Sequence, residues 1–507
     1  DISILRPKGA PVNNSAITTS GPIPFMDLYS LTTGIIGQHG RRGALMITMD
    51  VSHPDIFDFV TVKSDKTRIS YANISVKISD EFMKAVENDT EFELKFESSK
   101  AHVSRKIKAR ELWNKIVDTA LNTGDPGVIF WDVVKRESPL EYDPRMQLKG
   151  TNPCAEQPLE DYGACDLGSI NLSKFVKNEF TKDAEVDWQK LEKVVRYAVR
   201  FLDDVLDYSY DRHPLKQQAE ETFYTRRIGL GIMGLADMLI QMNLKYDTEE
   251  AIEFVDKLMK FIKETAYDES VNLAIEKGPF KGLKIDEHLK RDFVSRLSEK
   301  LKDRIKQHGL RNGCLLTVPP TGSTASLAGV SGGIEPIYAI SYKRRSESLS
   351  KGEFDVLDPF VKYYMEKTGI KDKSQLPNLF VTAHKIDPFF RVKMQATIQK
   401  HIDSSISSTV NLPANTTFET VDKIYKEAWR LGCKSITVYR EGSKYDIIKA
   451  EEEHEEASVK TEEGGELGPR IERGYILNGT TIKFPMPQGQ LYITINKMGD
   501  DIKEVFI

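Results

Sequence analysis

Apolar positions along this chain recur with two alternating periods, and each change of period marks a change of element. After Gly21-Pro22-Ile23-Pro24, the spacing of Met26, Leu28, Tyr29, Ile35 and Ile36 predicts a helix. Asn73-Ile74-Ser75-Val76 reads as a strand, and Ser79-Asp80-Glu81-Phe82-Met83 opens a helix with Ser79 as its cap. Trp113, Ile116, Val117, Ala120 and Leu121 make a stripe at helical spacing that Gly124 ends, and Val128-Ile129-Phe130-Trp131 follows as a buried strand. Leu191, Val194, Val195, Ala198, Phe201, Leu202 and Val205 form another core stripe. Gly432 ends a helix before the strand Ser435-Ile436-Thr437-Val438-Tyr439. Such alternation of strand and helix points to an α/β fold.

Past that strand the pattern changes. From Glu451 to Gly468 the chain is acidic with few apolar residues, which reads as an exposed linker. Beyond it, Thr481-Ile482-Lys483-Phe484 and Leu491-Tyr492-Ile493-Thr494-Ile495 alternate as short strands. We therefore expect a catalytic unit over 1–445, a linker over 446–469 and a small β-rich module over 470–507.

Composition narrows the function classes. At 507 residues, 40% hydrophobic and 29% charged, with a net charge of -5, the chain has no basic footprint for nucleic acid. No apolar run is long enough for a membrane span and the first residues are no signal peptide, so a cytoplasmic protein is expected. The four cysteines (154, 165, 314 and 433) include no C-x-x-C pair, which argues against a disulfide scaffold or a cysteine-rich metal site and for a catalytic thiol.

The chemistry concentrates in Asn152-Pro153-Cys154-Ala155-Glu156, followed by Cys165-Asp166-Leu167-Gly168-Ser169-Ile170-Asn171-Leu172. In an extended segment Asn152, Cys154 and Glu156 would share one face. An amide, a thiol and a carboxylate together suit work on a polyol, although a buried structural cysteine gives the same local pattern. A second centre is Val318-Pro319-Pro320-Thr321-Gly322-Ser323-Thr324, with Gly332-Gly333-Ile334-Glu335-Pro336 beyond it. A strand running into a hydroxyl-and-glycine turn at a helix start either holds phosphate or is an ordinary capped turn.

Gln38-His39-Gly40-Arg41-Arg42-Gly43-Ala44 is an anion nest or a solvated turn. Gly229-Leu230-Gly231-Ile232-Met233-Gly234 satisfies G-x-G-x-x-G, but Thr225-Arg226-Arg227 before it supplies no apolar strand and an amphipathic helix to Met242 is expected after it, so a dinucleotide site is rejected. Cys314, flanked by leucines, and Cys433 read as structural. Asp286-Glu287-His288 lacks the glycine of a D-x-H-x-x-G cobalamin signature, and neither Arg470 nor Arg473 is spaced from Gly474-Tyr475 as a glycyl-radical motif requires.

The stretch from Asn152 to Leu172 resembles the active-site segment of ribonucleotide reductases, in particular the adenosylcobalamin-dependent (class II) branch. Arg226 to Asp237 and Val318 to Ser326 resemble further segments of that family. The resemblance implies a ten-stranded α/β barrel around a finger loop with Cys154 at its tip as the thiyl radical. Glu156 would be the base at the ribose 3′ hydroxyl, Asn152 would bind the sugar hydroxyls, and Cys165 would be half of a reducing dithiol. Thr321, Gly322, Ser323 and Thr324 would bind the substrate phosphate.

The family also implies ribonucleoside di- or triphosphate substrates, a deoxynucleotide effector, a thioredoxin- or glutaredoxin-type reductant and a homodimer. Val438 precedes a single tyrosine, Tyr439, where two-subunit (class I) reductases carry a radical-relaying pair, so adenosylcobalamin is the expected radical source. The partner of Cys165 and most of the effector site are expected upstream of Asp1, and further redox cysteines beyond Ile507, making this sequence a fragment. The alternatives are the catalytic subunit of a two-subunit reductase and a non-catalytic nucleotide-binding fragment.

Overall fold

Two groups of parallel strands meet along one antiparallel seam, and the candidate chemistry lies between them. The computed structural model describes the chain apart from residues 13–14, 38–42, 100, 346–352, 444–448, 451–477, 487–488, 499–500 and 507. Most of the Gln38–Ala44 loop and most of the acidic linker therefore lie outside the described residues. The chain divides into two compact units, Asp1–Glu451 and Glu452–Ile507.

The first group is β1 (Met46–Asp50), β2 (Asn73–Ile78) and β3 (Gly127–Phe130), in parallel register with Met46 opposite Asn73 and Ser75 opposite Gly127. The second begins with β4 (Asp166–Asn171) and β5 (Ile228–Met233), again parallel. Leu230 then bridges Leu316, and Val318 bridges Ile406, both in parallel sense. Residues 404–407 run on into β6 (Thr409–Leu412), which pairs in parallel with β7 (Ser435–Arg440). At the seam, β7 turns antiparallel to β3, with Ser435 opposite Ile129. The architecture is mixed α/β; closure into a ring of ten strands goes beyond the pairings described.

Helices cover both groups because their apolar stripes match the outward face of the strands. Helix Ala109–Thr123 buries Leu112, Trp113, Ile116, Val117 and Ala120 and stops at Gly124 in the left-handed conformation, as its sequence predicts. Ser79 accepts from the Phe82 N–H at 3.1 Å and caps its helix as expected. Trp113, Ile116 and Tyr425 join Ile74, Val76 and Val438 in one apolar core. A second core gathers Leu202, Leu230, Ile232, Leu316, Val318 and Val255.

Two expectations need correction. Phe201 is 67% exposed, because the buried line of helix Trp188–Ser209 runs Leu191, Val195, Val199, Leu202 and Leu206, and Phe201 falls one position off it. The G-x-G-x-x-G stretch is itself a strand, β5, and the helix after it, Leu235–Gln241, is short and buried on every side rather than amphipathic. A Cβ at Gly231 would stand 2.4 Å from the Thr317 carbonyl oxygen, so the glycine serves strand-to-strand approach, not a cofactor. Helix Ile23–Ile36 forms where predicted, yet it buries only Met26 and Ser30, leaving Leu28, Leu31, Ile35 and Ile36 outward.

The second unit's described residues form a three-stranded antiparallel sheet: Asn478–Met486, Gly489–Met498 and Asp501–Phe506. Among the described residues no helix is long and apolar enough to cross a membrane.

Candidate active site

Residues 152–157 are the loop of a small hairpin, closed by Gly150 opposite Leu159 and Thr151 opposite Pro158. The segment is not extended, as its alternation suggested. Asn152 N–H donates to the Gln157 carbonyl at 3.2 Å, Gln157 N–H donates back to Asn152 Oδ1 at 3.0 Å, and Ala155 N–H donates to the Asn152 carbonyl at 3.0 Å. Ala155 takes a φ of 63°, which reverses the chain. The turn still gathers the predicted trio: Cys154 is exposed at the tip, Glu156 is 2% exposed beneath it, and the Asn152 side chain lies beside the Glu156 carboxylate.

Both strand groups hold this loop. From the first, Asn73 Nδ2 donates to the Pro153 carbonyl at 2.8 Å. From the second, Thr317 Oγ1 and the Ser405 N–H both donate to the Glu156 carbonyl at 2.8 Å. Sequence reasoning passed over Asn73, Thr317 and Ser405, because their contacts span the fold.

Desolvation dominates the electrostatics. Burial raises the Glu156 carboxyl above its ordinary range, and the bonds from its own backbone and Asn152 offset only part of that. Its Oε2 is buried without a partner. A carboxylate so placed holds a proton more readily than a solvated one and keeps an oxygen free for a substrate hydroxyl. The Cys154 thiol is pushed up to about 11 by its crowded surroundings and then by Glu156, so at neutral pH it stays S–H. A hydrogen-atom donor and acceptor needs that form rather than the thiolate. Against Cys154 lies a cavity of about 170 Å³ lined by Asn73, Ser75, Ser407, Ser408, Thr409 and Thr437 among others. Ser408 Oγ is buried there without a partner.

Cys165 is half-buried, and Gln157 Nε2 donates to its sulfur at 2.9 Å. Burial raises the Cys165 thiol well above its usual range, with the Arg227 guanidinium pulling the other way. Arg227 is buried, donating to Glu160 Oε2 at 2.7 Å and to Cys314 Sγ at 3.0 Å. Cys314 and Cys433 are both buried. His288 lies inside the core between the edges of Tyr142 and Phe280. An acidic group, Asp203, Asp204 and Asp207, is bridged by Arg226, Lys277 and Arg311.

Thr321 begins helix Gly322–Ala328 with a φ of 52°, and its hydroxyl accepts the Gly333 N–H at 2.9 Å, locking the turn to the Gly332-Gly333 segment. Gly322, Ser323 and Thr324 are exposed, with open space around the Gly322 Cα. The loop lies four residues beyond Thr317, on the segment that anchors Glu156. Glu335, two residues past Gly333, accepts the Thr409 N–H at 3.2 Å and pairs with buried Arg391 at 2.9 Å. The second centre is thus tied to the wall of the Cys154 cavity.

Residues 1–439 match the family model for the barrel domain of ribonucleotide reductase. The chain belongs to the ribonucleotide reductase family. It is 36% identical over 508 residues to a vitamin B12-dependent ribonucleoside-diphosphate reductase of Thermoplasma acidophilum, covering 96% of this chain and 63% of that protein. It is 37% identical over 461 residues to the protein of that name in Mycobacterium tuberculosis, covering 87% and 63%. Identity to the ribonucleoside-diphosphate reductase subunit alpha of Chlamydia trachomatis is 27%, covering 89% and 49%. The chain spans under two thirds of the length of these curated relatives.

Proposed function

We propose that this chain is the catalytic barrel of an adenosylcobalamin-dependent ribonucleotide reductase, a ten-stranded barrel with the 152–157 loop inside it. The observation that carries the reading is the loop itself: an exposed thiol above a buried carboxylate whose free oxygen has no partner, with an amide beside it. The vitamin B12-dependent names of the more similar relatives support the cofactor.

Adenosylcobalamin, when bound, supplies a one-electron oxidant for the Cys154 thiol. The hydroxyl-lined cavity beside Cys154, with Ser408 Oγ awaiting a partner, fits the ribosyl part of that cofactor. Asn73, Ser408 and Thr409 are the residues that would hold it. On the substrate side, Cys154 Sγ takes the ribose 3′ hydrogen, Glu156 takes the proton of the 3′ hydroxyl, and Asn152 orients the sugar. Thr321, Gly322, Ser323 and Thr324 hold the phosphate of a ribonucleoside di- or triphosphate. Cys165 and a second thiol give up two hydrogens and become a disulfide, while the 2′ hydroxyl leaves as water.

A thioredoxin- or glutaredoxin-type protein restores the thiols, and a deoxynucleotide acts as effector. The outward apolar side chains of helix Ile23–Ile36 support a homodimer.

The test follows deoxyribonucleotide formation by the protein that carries this chain, with adenosylcobalamin, dithiothreitol and mixed ribonucleotides, for wild type and Cys154→Ala. Product that requires the cofactor and disappears in the variant is expected. Activity that needs an iron or manganese partner subunit instead would overturn the cofactor assignment.

A further inference from the structure

Gln157 has no role in the chemistry above, yet its side chain is hydrogen-bonded to the Cys165 sulfur. It is 3% exposed, its Nε2 donates to Cys165 Sγ at 2.9 Å, and its Oε1 is buried with no partner. Its backbone is fixed at both ends, since its N–H donates to Asn152 Oδ1 and its carbonyl accepts from Asn152 N–H. The side chain is therefore aimed by the same turn that sets Cys154 and Glu156. On the far side, a Cβ at Gly229 would lie 3.0 Å from Cys165 Sγ, so that glycine leaves room for the sulfur. Arg227, two residues earlier, contributes the buried positive charge of the surroundings.

We propose that Gln157 is a further catalytic residue, an N–H donor that holds the Cys165 sulfur, favours its thiolate and couples the reducing thiol to the turn carrying Cys154. The assignment rests on the reading of Cys165 as a redox thiol. When Cys165 S–H loses its proton to water, sulfur becomes an acceptor only, and Nε2 is already in place to meet it. The S–H form has its own acceptor in the Asp166 carbonyl at 3.5 Å, so the Gln157 N–H gains most when the sulfur is ionised. Leucine has the size of glutamine and neither function. Glutamate keeps the shape and a polar end, but when ionised it has no N–H and adds a negative charge.

The experiment is alkylation of the full chain by iodoacetamide at pH 9, with Cys165 and Cys154 peptides quantified by mass spectrometry. A hydrogen bond to an ionised sulfur corresponds to roughly tenfold in thiolate population. Gln157→Leu is expected to slow Cys165 about tenfold relative to Cys154, and Gln157→Glu to slow it further. Urea-unfolded chains should show equal rates for all three proteins. An unchanged ratio of Cys165 to Cys154 in folded Gln157→Leu overturns the proposal. Should leucine loosen the loop and speed both cysteines, Gln157→Glu decides alone, and wild-type reactivity of its Cys165 refutes the role. No nucleotide, cofactor or turnover is involved, so failure here leaves the Cys154 assignment standing, and failure of the Cys154→Ala assay leaves this contact standing.

Discussion

Replacing Thr317 by valine removes one hydroxyl and almost nothing else, and that hydroxyl sits where the two candidate centres meet. Thr317 is fully buried; its Oγ1 donates to the Glu156 carbonyl at 2.8 Å and lies 3.1 Å from the Ser405 carbonyl. Valine conserves the volume, so no cavity cost arises. Glu156 keeps its second donor, the Ser405 N–H, and the loss is one hydrogen bond shared by two buried carbonyls, about 1 to 2 kcal/mol. Urea unfolding of wild type, Thr317→Val and Thr317→Ser measures it, with serine keeping the bond. The functional expectation is separate. Freed of one anchor, the carbonyl lets the Glu156 carboxylate drift, and kcat should fall about tenfold or more with KM little changed, because misplacing a reacting group costs rate more than affinity. Thr317→Ser should recover kcat. Full kcat in the valine variant, with stability alone reduced, would refute the claim that this hydroxyl aims Glu156.

His288 offers a pH test. Burial between two aromatic rings lowers its imidazole from 6.5 to about 4, so folding favours the neutral ring; the contribution is complete above pH 6.5 and is lost as pH falls from there toward 4, about 3 kcal/mol in full. His288→Phe should flatten the loss of stability over that window in urea titrations at stepped pH, and identical pH profiles for the two proteins would contradict it. Gly231→Ala places a Cβ 2.4 Å from the Thr317 carbonyl oxygen and 2.8 Å from Pro319 Cδ, forcing β5 from its neighbour at about 1 to 3 kcal/mol. A substitution neutral in the same unfolding assay would show that the strands part freely.

What could be read from the sequence was local, and what escaped it was distant. The helix over Ala109–Thr123 was legible because Trp113, Ile116, Val117 and Ala120 repeat with the period of the helix itself, and Gly124 stops it with a conformation glycine favours. The residue types of Asn152, Cys154 and Glu156 were legible as chemistry, but their shape was not. Alternation suggested a strand, whereas a positive φ at Ala155 and partners 80 and 161 residues away, Asn73 and Thr317, make a turn. The glycines from Gly229 to Gly234 were read correctly as no dinucleotide site, but the feature that demands Gly231 is the Thr317 carbonyl, invisible from within the motif.

Gln157 is the case that joins these lessons. By sequence it is the residue after a candidate base, with no pattern to distinguish it from any polar loop position. In the fold, the reversal at Ala155 carries it beneath the loop, and the parallel pairing of β4 with β5 sets the strand that begins just after Cys165. Its amide then meets a sulfur eight residues on. Cys154 and Cys165 are on separate elements, and the Gln157 side chain links Cys165 to the turn that carries Cys154. A change that moves the turn should therefore be felt at both thiols, whereas Gly229→Ala, which would put a Cβ 3.0 Å from Cys165 Sγ, should act on Cys165 directly.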